Sequence, residues 1–204
     1  GVDVLFAPMV DEMYPEGFSA FVDVDGLAET LCGASRPGHF KGVATIVTKL
    51  FTSVRPHAAV FGQKDAQQAL LIKRLTRDLN LGVEILVSPT VRERDGLARS
   101  SRNAYLTKEE RNIAPVLFYA LQAGRRLILD GARERNWVLD RMRKMIEGRP
   151  GLKIDYVEAV DADSLVVKSR LERQILLAVA VNFGKTRLID NVVVDTDRAR
   201  TESP

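Results

Sequence analysis

Short apolar runs alternate with helical stripes along the first half of the chain. Residues 2–7, 58–61 and 83–87 are rich in Val, Leu, Ile, Phe and Ala, and each run ends close to a proline or a glycine. Runs of this length and ending are typical of buried strands. Apolar residues recur at helical spacing over residues 43–54 and 71–79. Strands and helices in such short alternation predict right-handed crossovers and a parallel sheet.

The pattern changes in the second half. Thr107 and Glu110 have the spacing of a capping box, which predicts the start of a helix, and Pro115 should kink that helix. A second helix is predicted over residues 136–146. Three β segments follow, at residues 153–160, 174–181 and 186–194. Helices followed by antiparallel strands are typical of an α+β unit.

The sequence therefore predicts two domains. Residues 1–101 are expected to form an α/β domain with a parallel sheet, and residues 102–204 a smaller α+β domain. The polar residues from Asp195 onward predict a frayed tail. Because the chain opens on the apolar run of residues 2–7 and has no initiator methionine, we expect that an N-terminal part of the first domain is missing.

Composition narrows the classes of function. Among 204 residues, 46% are hydrophobic and 28% are charged, which is the balance of a globular protein. No apolar run approaches the roughly 20 residues that span a membrane, so no membrane partner is expected. The net charge of +3 is weak evidence for nucleic-acid binding, and we expect none. Cys32 is the only cysteine; it favours a reducing compartment, and no sequence context supports a nucleophilic role for it.

The first candidate site is the strand-to-helix turn of residues 61–68, Phe-Gly-Gln-Lys-Asp-Ala-Gln-Gln. Gly62 would let a ligand approach the backbone closely, and Lys64 suits phosphate oxygens at a helix start. Asp65 could accept from ribose hydroxyls or cap the helix, and Gln68 could hold a small polar substrate at the same mouth. The alternative is an ordinary capped turn with a solvated Lys–Asp pair.

The second candidate site is residues 95–103, Asp-Gly-Leu-Ala-Arg-Ser-Ser-Arg-Asn. The hydroxyls of Ser100 and Ser101 and the guanidinium of Arg102 form a compact donor cluster that matches triphosphate oxygens. The alternative is a Ser-rich interdomain linker. Both candidate sites cap the same edge of the predicted sheet, where open α/β sheets bind ligands, so together they favour a triphosphate site.

Two further residues are left with alternatives. His39 could face a substrate, or it could cap the following helix and pack; the sequence favours the structural role. Tyr14 could close over a pocket or be a buried aromatic, and the sequence does not separate the two. A dehydrogenase is disfavoured, because no Gly-x-Gly-x-x-Gly follows a predicted strand.

At these residues the sequence resembles the pantothenate synthetases, the ligases that condense pantoate with β-alanine. The resemblance covers essentially the whole chain and rests on several motifs in order, at residues 13–15, 36–43, 61–68, 89–93, 100–103 and 186–191. It implies a Rossmann-like nucleotidyltransferase domain followed by a smaller α+β lid. It also implies a cytoplasmic homodimer that uses ATP and Mg²⁺.

The resemblance implies roles for individual residues. ATP would be contacted by one set of positions, with adenine held by the backbone of the valine: Gly62, Gln63, Lys64, Asp65, Val91, Arg99, Ser100, Ser101 and Arg102. Gln68 would hold pantoate. The catalytic residues would be Lys64, Ser100, Ser101 and Arg102. They would serve two steps, formation of a pantoyl adenylate with release of pyrophosphate, and attack by β-alanine with release of AMP.

Three departures from the family pattern qualify this expectation. Arg99 stands where the family usually has Met or Leu, and Ala66 stands where an aromatic is frequent. The His-x-Gly-His motif and a second pantoate-binding Gln are absent, and the only histidines are His39 and His57. We therefore expect weak or no activity from this chain alone. The alternatives are another nucleotidyltransferase of the same superfamily and a non-catalytic truncated module.

Overall fold

The computed structural model describes residues 1–197, and these contain two separate β-sheets with helices packed around them. The elements in chain order are α1 (Val10–Met13), α2 (Cys32–Ser35), α3 (His39–Val54), β1 (Ala58–Gly62), α4 (Ala66–Asp78), β2 (Glu84–Ser88), α5 (Lys108–Ile113), α6 (Val116–Leu129), α7 (Arg135–Glu147), β3 (Leu152–Asp161), β4 (Gln174–Phe183) and β5 (Thr186–Asp195). Short 3₁₀ turns occur at Gln63–Asp65 and Ser101–Tyr105. In this described part, no helix combines the length and apolarity needed to cross a membrane.

The first sheet is a parallel pair joined through a helix. β1 and β2 align from Ala58 opposite Glu84 to Gly62 opposite Ser88, and α4 connects them. α4 buries Leu71, Ile72 and Leu75, residues at helical spacing. The βαβ unit predicted for residues 58–87 is therefore confirmed.

The strand predicted at residues 2–7 is wrong. The structure has no strand there, and Val2, Val4 and Leu5 are each more than 80% exposed. An apolar run becomes a strand only when a neighbouring strand satisfies its backbone N–H and C=O groups. No strand within residues 1–197 pairs with this run, so its composition alone misled the prediction.

The second sheet is an antiparallel meander with β4 at its centre. β4 pairs with β3 on one side and with β5 on the other. Helices α6 and α7 cover one face, and their fully buried side chains meet those of β4 in one hydrophobic cluster. Helices followed by antiparallel strands were predicted for this half, and that prediction is confirmed.

Local signals set the helix boundaries in this half. Thr107 Oγ1 accepts from the N–H of Glu110 at 3.2 Å, and Glu110 Oε2 accepts from the N–H of Thr107 at 2.9 Å. The predicted capping box is therefore present. At Pro115 the chain breaks into two helices rather than bending one, since α5 ends at Ile113 and α6 begins at Val116. Proline lacks an N–H and its ring clashes with the preceding turn, which accounts for the break.

The other face of the meander packs against the first half of the chain. Leu176 and Ala178 of β4 share a buried cluster with Phe40 of α3 and Leu71 of α4. The candidate site lies beside this contact between β4 and the helices α3 and α4. The domain boundary between residues 101 and 102 remains a prediction.

A frayed tail is predicted from Asp195 onward, and the structure describes its first three residues, 195–197. Asp195 ends β5, and Thr196 is buried with its N–H donating to the carbonyl of Arg173 at 2.8 Å. The prediction is wrong for these two residues because a hydrogen bond and packing hold them. Residues 198–204 lie outside the described part of the chain.

A tight loop after β2 brings Gly96 against α6. Arg92 and Ala98 pair across this loop, and Gly96 has a φ of +91°. A Cβ at Gly96 would overlap the ring of Phe118. Only glycine fits here, because both the left-handed backbone and the close approach exclude a side chain.

We predict that Gly96→Ala destabilises the fold more than Gly151→Ala does. Gly151 also has a positive φ, of +77°, but no atom lies within 4 Å of its added Cβ. Backbone strain should cost each variant about 1–2 kcal/mol, and overlap with Phe118 should add about 1–3 kcal/mol to Gly96→Ala alone. Urea denaturation of both variants measures the difference. Equal losses of stability would show that Phe118 yields without cost.

Candidate active site

A cavity of about 220 Å³ opens where β1 ends and α3, α4 and β5 converge. Polar side chains dominate its lining: Arg36, His39, Lys64, Asp65, Gln67, Gln68, Arg102, Arg187, Asp190 and Asn191. Cys32 and Tyr156 complete one wall with apolar neighbours. A small concave site with convergent polar groups at the carboxyl end of a parallel strand is the arrangement expected of a ligand site.

The turn of Gln63–Asp65 is held in place by Asn191 of β5. Asn191 Nδ2 donates to the carbonyls of Gln63 at 3.0 Å and Lys64 at 2.9 Å, and its Oδ1 accepts from Gln63 Nε2 at 3.0 Å. Asn191 is 6% exposed. The side chain of Gln63 is therefore used to fix the turn and is not part of the cavity lining.

Asn191 is itself positioned by a buried ion pair next to it. Arg92 Nη1 and Nη2 lie 2.6 Å and 3.0 Å from the two carboxylate oxygens of Asp190, whose side chain is 2% exposed. Asp190 Oδ1 also accepts from the N–H of Asn191 at 2.8 Å. The paired geometry satisfies both carboxylate oxygens, as a buried charge requires.

Lys64 and Gln68 both reach the cavity from the start of α4. The Lys64 side chain is 18% exposed, and its Nζ lies 3.8 Å from Asp65 Oδ1. Gln68 lines the cavity one turn further along. The neighbouring Gln67 is structural, since its Oε1 accepts from the N–H of Cys32 and its Nε2 donates to two carbonyls of the loop before α2.

Arg102 brings the second candidate motif to the same cavity. It follows Ser100, whose Oγ accepts from the N–H of Arg102 at 3.2 Å and starts the 3₁₀ turn. Ser100 and Ser101 precede Arg102 in the chain and are outside the cavity lining. Arg99, the departure that sequence left unexplained, points to solvent and pairs with Glu93 at 3.4 Å.

The structure thus groups the predicted residues into two sets. Four line the cavity together: Lys64, Asp65, Gln68 and Arg102. Six lie outside its lining: Gly62, Gln63, Val91, Arg99, Ser100 and Ser101.

The sequence did not predict the part of the cavity wall that Cys32, Tyr156 and Arg187 form. Arg187 Nη2 and Nε lie 2.7 Å and 2.9 Å from Asp155 Oδ2, and Ser35 Oγ donates to Asp155 Oδ1 at 2.9 Å. The Cys32 thiol lies 3.2 Å from Tyr156 Oη and 3.5 Å from Arg187 Nη2. Burial, followed by the neighbouring thiol, raises the pKa of Tyr156 above its usual range, so the phenol stays protonated. The spacing of residues along the sequence does not predict these contacts, because they join residues far apart in the chain.

His39 begins α3, and its ring also lines the cavity. The capping role that the sequence favoured is wrong, because Gly38 is the N-cap of α3 and no side chain caps this helix start. The ring does pack beside Phe40, with centroids 5.0 Å apart. Arg36 Nη1 lies 3.0 Å from His39 Nε2. Burial, then the charges of Arg36, Arg102 and Arg187, lower the pKa of His39 from its ordinary value of 6.5. The imidazole is therefore neutral at neutral pH.

Tyr14 is half-buried rather than buried, and it lines a neighbouring pocket together with Arg36 and His39. Its half-buried ring meets Phe18 edge-on, with centroids 5.1 Å apart, and Lys49 Nζ lies 5.6 Å from its centroid. Tyr14 does not line the cavity.

Comparison with protein families gives one match over almost the whole chain. A family model described as pantoate-beta-alanine ligase matches residues 1–193. A pantothenate synthetase from Moorella thermoacetica is 56% identical over 197 residues, which cover 97% of this chain and 70% of the relative. A pantothenate synthetase from Acetivibrio thermocellus is 53% identical over 199 residues, covering 96% and 69%.

Solved structures that are similar to this chain include members of the same family. The crystal structure of pantothenate synthetase from Thermus thermophilus is similar with a TM-score of 0.89 and 47% identity, over 94% of this chain and 70% of that one. A pantoate-beta-alanine ligase from Francisella tularensis, complexed with beta-gamma ATP and beta-alanine, has a TM-score of 0.65 and 31% identity, over 92% and 62%. The resemblance stated from sequence and the α/β fold class are therefore confirmed.

We predict that Asn191→Ala lowers the free energy of unfolding by about 2–4 kcal/mol, because three hydrogen bonds are lost and buried polar groups are left without partners. Val193→Thr is the matched control on the same strand, since Val193 is 40% exposed and the substitution keeps a β-branched side chain. Urea denaturation measures both. A loss below about 1 kcal/mol for Asn191→Ala would contradict the positioning role of this amide.

We predict that His39 titrates below 6.5 and that Arg102→Gln raises its pKa. Because the unfolded chain binds this proton more readily, the His39 contribution to stability should fall as pH drops below 6.5. NMR titration of the imidazole signals, assigned with a His39→Asn variant, measures the pKa. Arg126→Gln is the control, since the Arg126 side chain is 85% exposed and lies outside the cavity lining. A His39 pKa above 6.5, or one unmoved by Arg102→Gln, would refute the assigned electrostatic cause.

Proposed function

We propose that this chain, which belongs to the pantoate-beta-alanine ligase family, supplies most of a site that activates pantoate with ATP and joins it to β-alanine. The observation that carries the proposal is the convergence of Lys64, Gln68 and Arg102 on one cavity at the end of β1. Two cations and an amide at a strand end suit an acid that reacts with a phosphate. The Francisella tularensis ligase, a structural neighbour, was solved in complex with beta-gamma ATP and beta-alanine.

The size of the cavity supports the proposal that pantoate and ATP occupy different parts of the site. Its volume of about 220 Å³ is below the roughly 300–1,000 Å³ of pockets that enclose drug-sized ligands. It therefore suits pantoate, held by Gln68, while ATP lies along the open strand end. Gly62 supports this placement, because a Cβ built there meets no atom within 4 Å and a phosphate can approach the backbone.

The remaining proposed ATP contacts lie around that opening. Lys64 and Arg102 line the cavity and would bind phosphate oxygens. The hydroxyls of Ser100 and Ser101, which directly precede Arg102 in the chain, would add donors. Asp65, with its side chain 51% exposed, is accessible to the ribose hydroxyls. Val91 is 61% exposed, which leaves it accessible to adenine. Gln63 would act by fixing the turn, and the exposed Arg99 would contribute its backbone.

In the first proposed step, a pantoate carboxylate oxygen attacks the α-phosphorus of ATP. A new P–O bond forms, the bond to the β-phosphate breaks, and pyrophosphate leaves with the electron pair. The product is pantoyl adenylate. Negative charge builds on phosphate oxygens during this step, so Lys64 and Arg102 would act by electrostatic stabilisation and positioning.

Mg²⁺ fits this site as an ion carried by the nucleotide. Among residues 1–197 no group of three or more His, Cys, Asp or Glu is arranged to hold a metal. Mg²⁺ commonly uses one or two carboxylates together with substrate phosphates. Asp65 is the carboxylate that would approach it here, and the ion would neutralise phosphate charge.

In the second proposed step, the neutral amine of β-alanine attacks the activated carbonyl carbon. The C–N bond forms, the bond from that carbon to the phosphate oxygen breaks, and AMP leaves with the electron pair. The amine proton passes to solvent. Exclusion of other water protects the mixed anhydride, and the α+β half (residues 102–204) is the proposed lid.

Several further expectations belong to the same proposal. We propose a homodimer in the cytoplasm and a domain boundary after residue 101. The separate packing of α6 and α7 on the meander supports that boundary. Weak or no activity of the 204-residue chain by itself also stays a prediction, since His39 and His57 lie in no His-x-Gly-His motif.

We predict that Lys64→Ala lowers pantoate-dependent exchange of pyrophosphate into ATP by roughly 100- to 1,000-fold, the usual effect of removing one donor from a developing anion. The measurement uses the full gene-encoded protein. Lys73→Ala is the matched control, because Lys73 is exposed on α4 and lies outside the cavity lining. Circular dichroism should show both variants folded.

Other outcomes would separate the alternatives. Near-normal exchange by Lys64→Ala would remove the assigned role of Lys64. Exchange triggered by a different acid would indicate another nucleotidyltransferase of the superfamily. Calorimetry that detects no ATP binding would favour a non-catalytic module.

A further inference from the structure

The carboxylate of Asp155 joins three elements at the edge of the candidate active site. Its Oδ2 accepts from Arg187 Nε at 2.9 Å and Nη2 at 2.7 Å, and its Oδ1 accepts from Ser35 Oγ at 2.9 Å. Asp155 lies on β3, Arg187 on β5 and Ser35 at the end of α2. Arg187 lines the cavity of about 220 Å³, whereas Asp155 does not. Asp155 therefore reaches the site only through the side chains that it holds.

A β-bulge in β3 makes these contacts possible. The register of β3 with β4 shifts between Ile154 and Tyr156, so the intervening Asp155 has no partner on β4. In a regular strand, successive side chains point to opposite faces of the sheet. Here both neighbours contact Arg187, Asp155 through its carboxylate and Tyr156 through its ring, whose centroid lies 5.7 Å from the guanidinium carbon. Bulges re-aim side chains in this way and are frequent next to active sites.

The helix α2, which Asp155 holds, has little support of its own. It has four residues, no side chain caps its start, and the preceding Leu31 has a φ of +47°. A single helical turn is not stable in isolation, and a positive φ strains a leucine. At the start of α2, Gln67 Oε1 accepts from the N–H of Cys32 at 3.0 Å. At its end, Asp155 accepts from Ser35, so contacts from α4 and β3 hold this helix in place.

Two residues that line the cavity follow directly on that end of α2. Arg36 is the C-cap of α2, and His39 begins α3 three residues later. Both line the cavity, and Arg36 Nη1 lies 3.0 Å from His39 Nε2. Because Ser35 immediately precedes Arg36, a displacement of Ser35 also moves the backbone that carries these two side chains.

Contact with solvent limits what the Asp155 ion pair adds to stability. The side chains of Arg187 and Asp155 are 19% and 24% exposed, and ion pairs in contact with water contribute little to folding. By contrast, a displacement of about 1 Å in an active site can slow a reaction by roughly 100-fold. The larger consequence of these contacts is therefore expected in the chemistry.

We propose that Asp155 is a positioning residue for the reaction, because one carboxylate holds both Arg187 and Ser35. This inference rests on the proposed function. Through Arg187 it fixes part of the cavity wall, and through Ser35 it fixes the backbone before Arg36 and His39. Loss of the carboxylate should lower the rate of the chemical step, with much less effect on substrate affinity or on folding.

The first test measures pantoate-dependent exchange of pyrophosphate into ATP by the full gene-encoded protein. For Asp155→Ala we expect kcat to fall roughly 10- to 100-fold, while the KM values for pantoate and ATP change by less than about threefold. Ser35→Ala removes one of the contacts, so its kcat should fall by about 3- to 10-fold. Asp163→Ala is the matched control and should not change exchange, because Asp163 is exposed, follows β3 and lies outside the cavity lining.

Two further variants show whether Asp155 acts through Ser35. Residues that act through one contact have non-additive effects. Adding Ser35→Ala to Asp155→Ala should therefore lower kcat little further. Asp155→Asn keeps the shape of the side chain and can retain one of its contacts, so its kcat should lie between those of the unmodified protein and Asp155→Ala.

The second test does not depend on activity. The NMR signals of the His39 imidazole, assigned with a His39→Asn variant, should shift in Asp155→Ala and in Ser35→Ala, because the backbone before His39 moves. Asp163→Ala should leave these signals in place. Urea denaturation should show every variant folded under the conditions of the assay.

The remaining outcomes contradict the inference. An unchanged kcat would remove the role of Asp155, and a fall that matches the unfolded fraction would indicate a purely structural role. Additive losses in the double variant would show that Asp155 and Ser35 act separately. An unmoved His39 signal would show that the wall after α2 does not depend on Asp155. If the unmodified protein shows no pantoate-dependent exchange, the proposed function fails, and the His39 signal alone then decides whether Asp155 positions this wall.

Discussion

The buried ion pair between Arg92 and Asp190 is the contact on which the geometry of the site depends. It joins residues 98 positions apart, and the Asp190 side chain is 2% exposed. Removing one partner from such a pair leaves an uncompensated buried charge and typically costs about 3–5 kcal/mol. The pair sets where β5 lies against the loop after β2. Because Asn191 follows Asp190 directly, it also sets where the amide meets the turn of Gln63–Asp65.

Residues in the second half of the chain therefore position side chains that the first half contributes to the site. Lys64 enters the cavity from a turn whose carbonyls are held by Asn191 of β5. A cation held in advance stabilises developing charge more effectively than one that must reorganise. A shift of β5 against α4 would therefore move Lys64 as well as Arg187. The two halves have to be considered together when the site is altered.

Local sequence signals accounted for much of the fold and for one wall of the site. Helical spacing identified α3 and α4, and the Thr107 capping box identified the start of α5. The run at residues 2–7 misled the prediction because strand formation depends on a partner. Lys64, Gln68 and Arg102, which line one cavity, could be proposed from sequence because strand ends and donor clusters are local features. Arg187 and Asn191 belong to a motif that the sequence identified but gave no role, because their roles depend on contacts with residues more than 30 and 120 positions away.

A cluster of cations also lies beside the most buried strand of the described chain, β4. Three guanidiniums and a lysine near one another raise the free energy of the folded state. β4 offsets this cost, since Val179 and Val181 are fully buried between layers. An anion bound at these cations would relieve the repulsion, and a ligand at 100 times its Kd adds about 2.7 kcal/mol of stability.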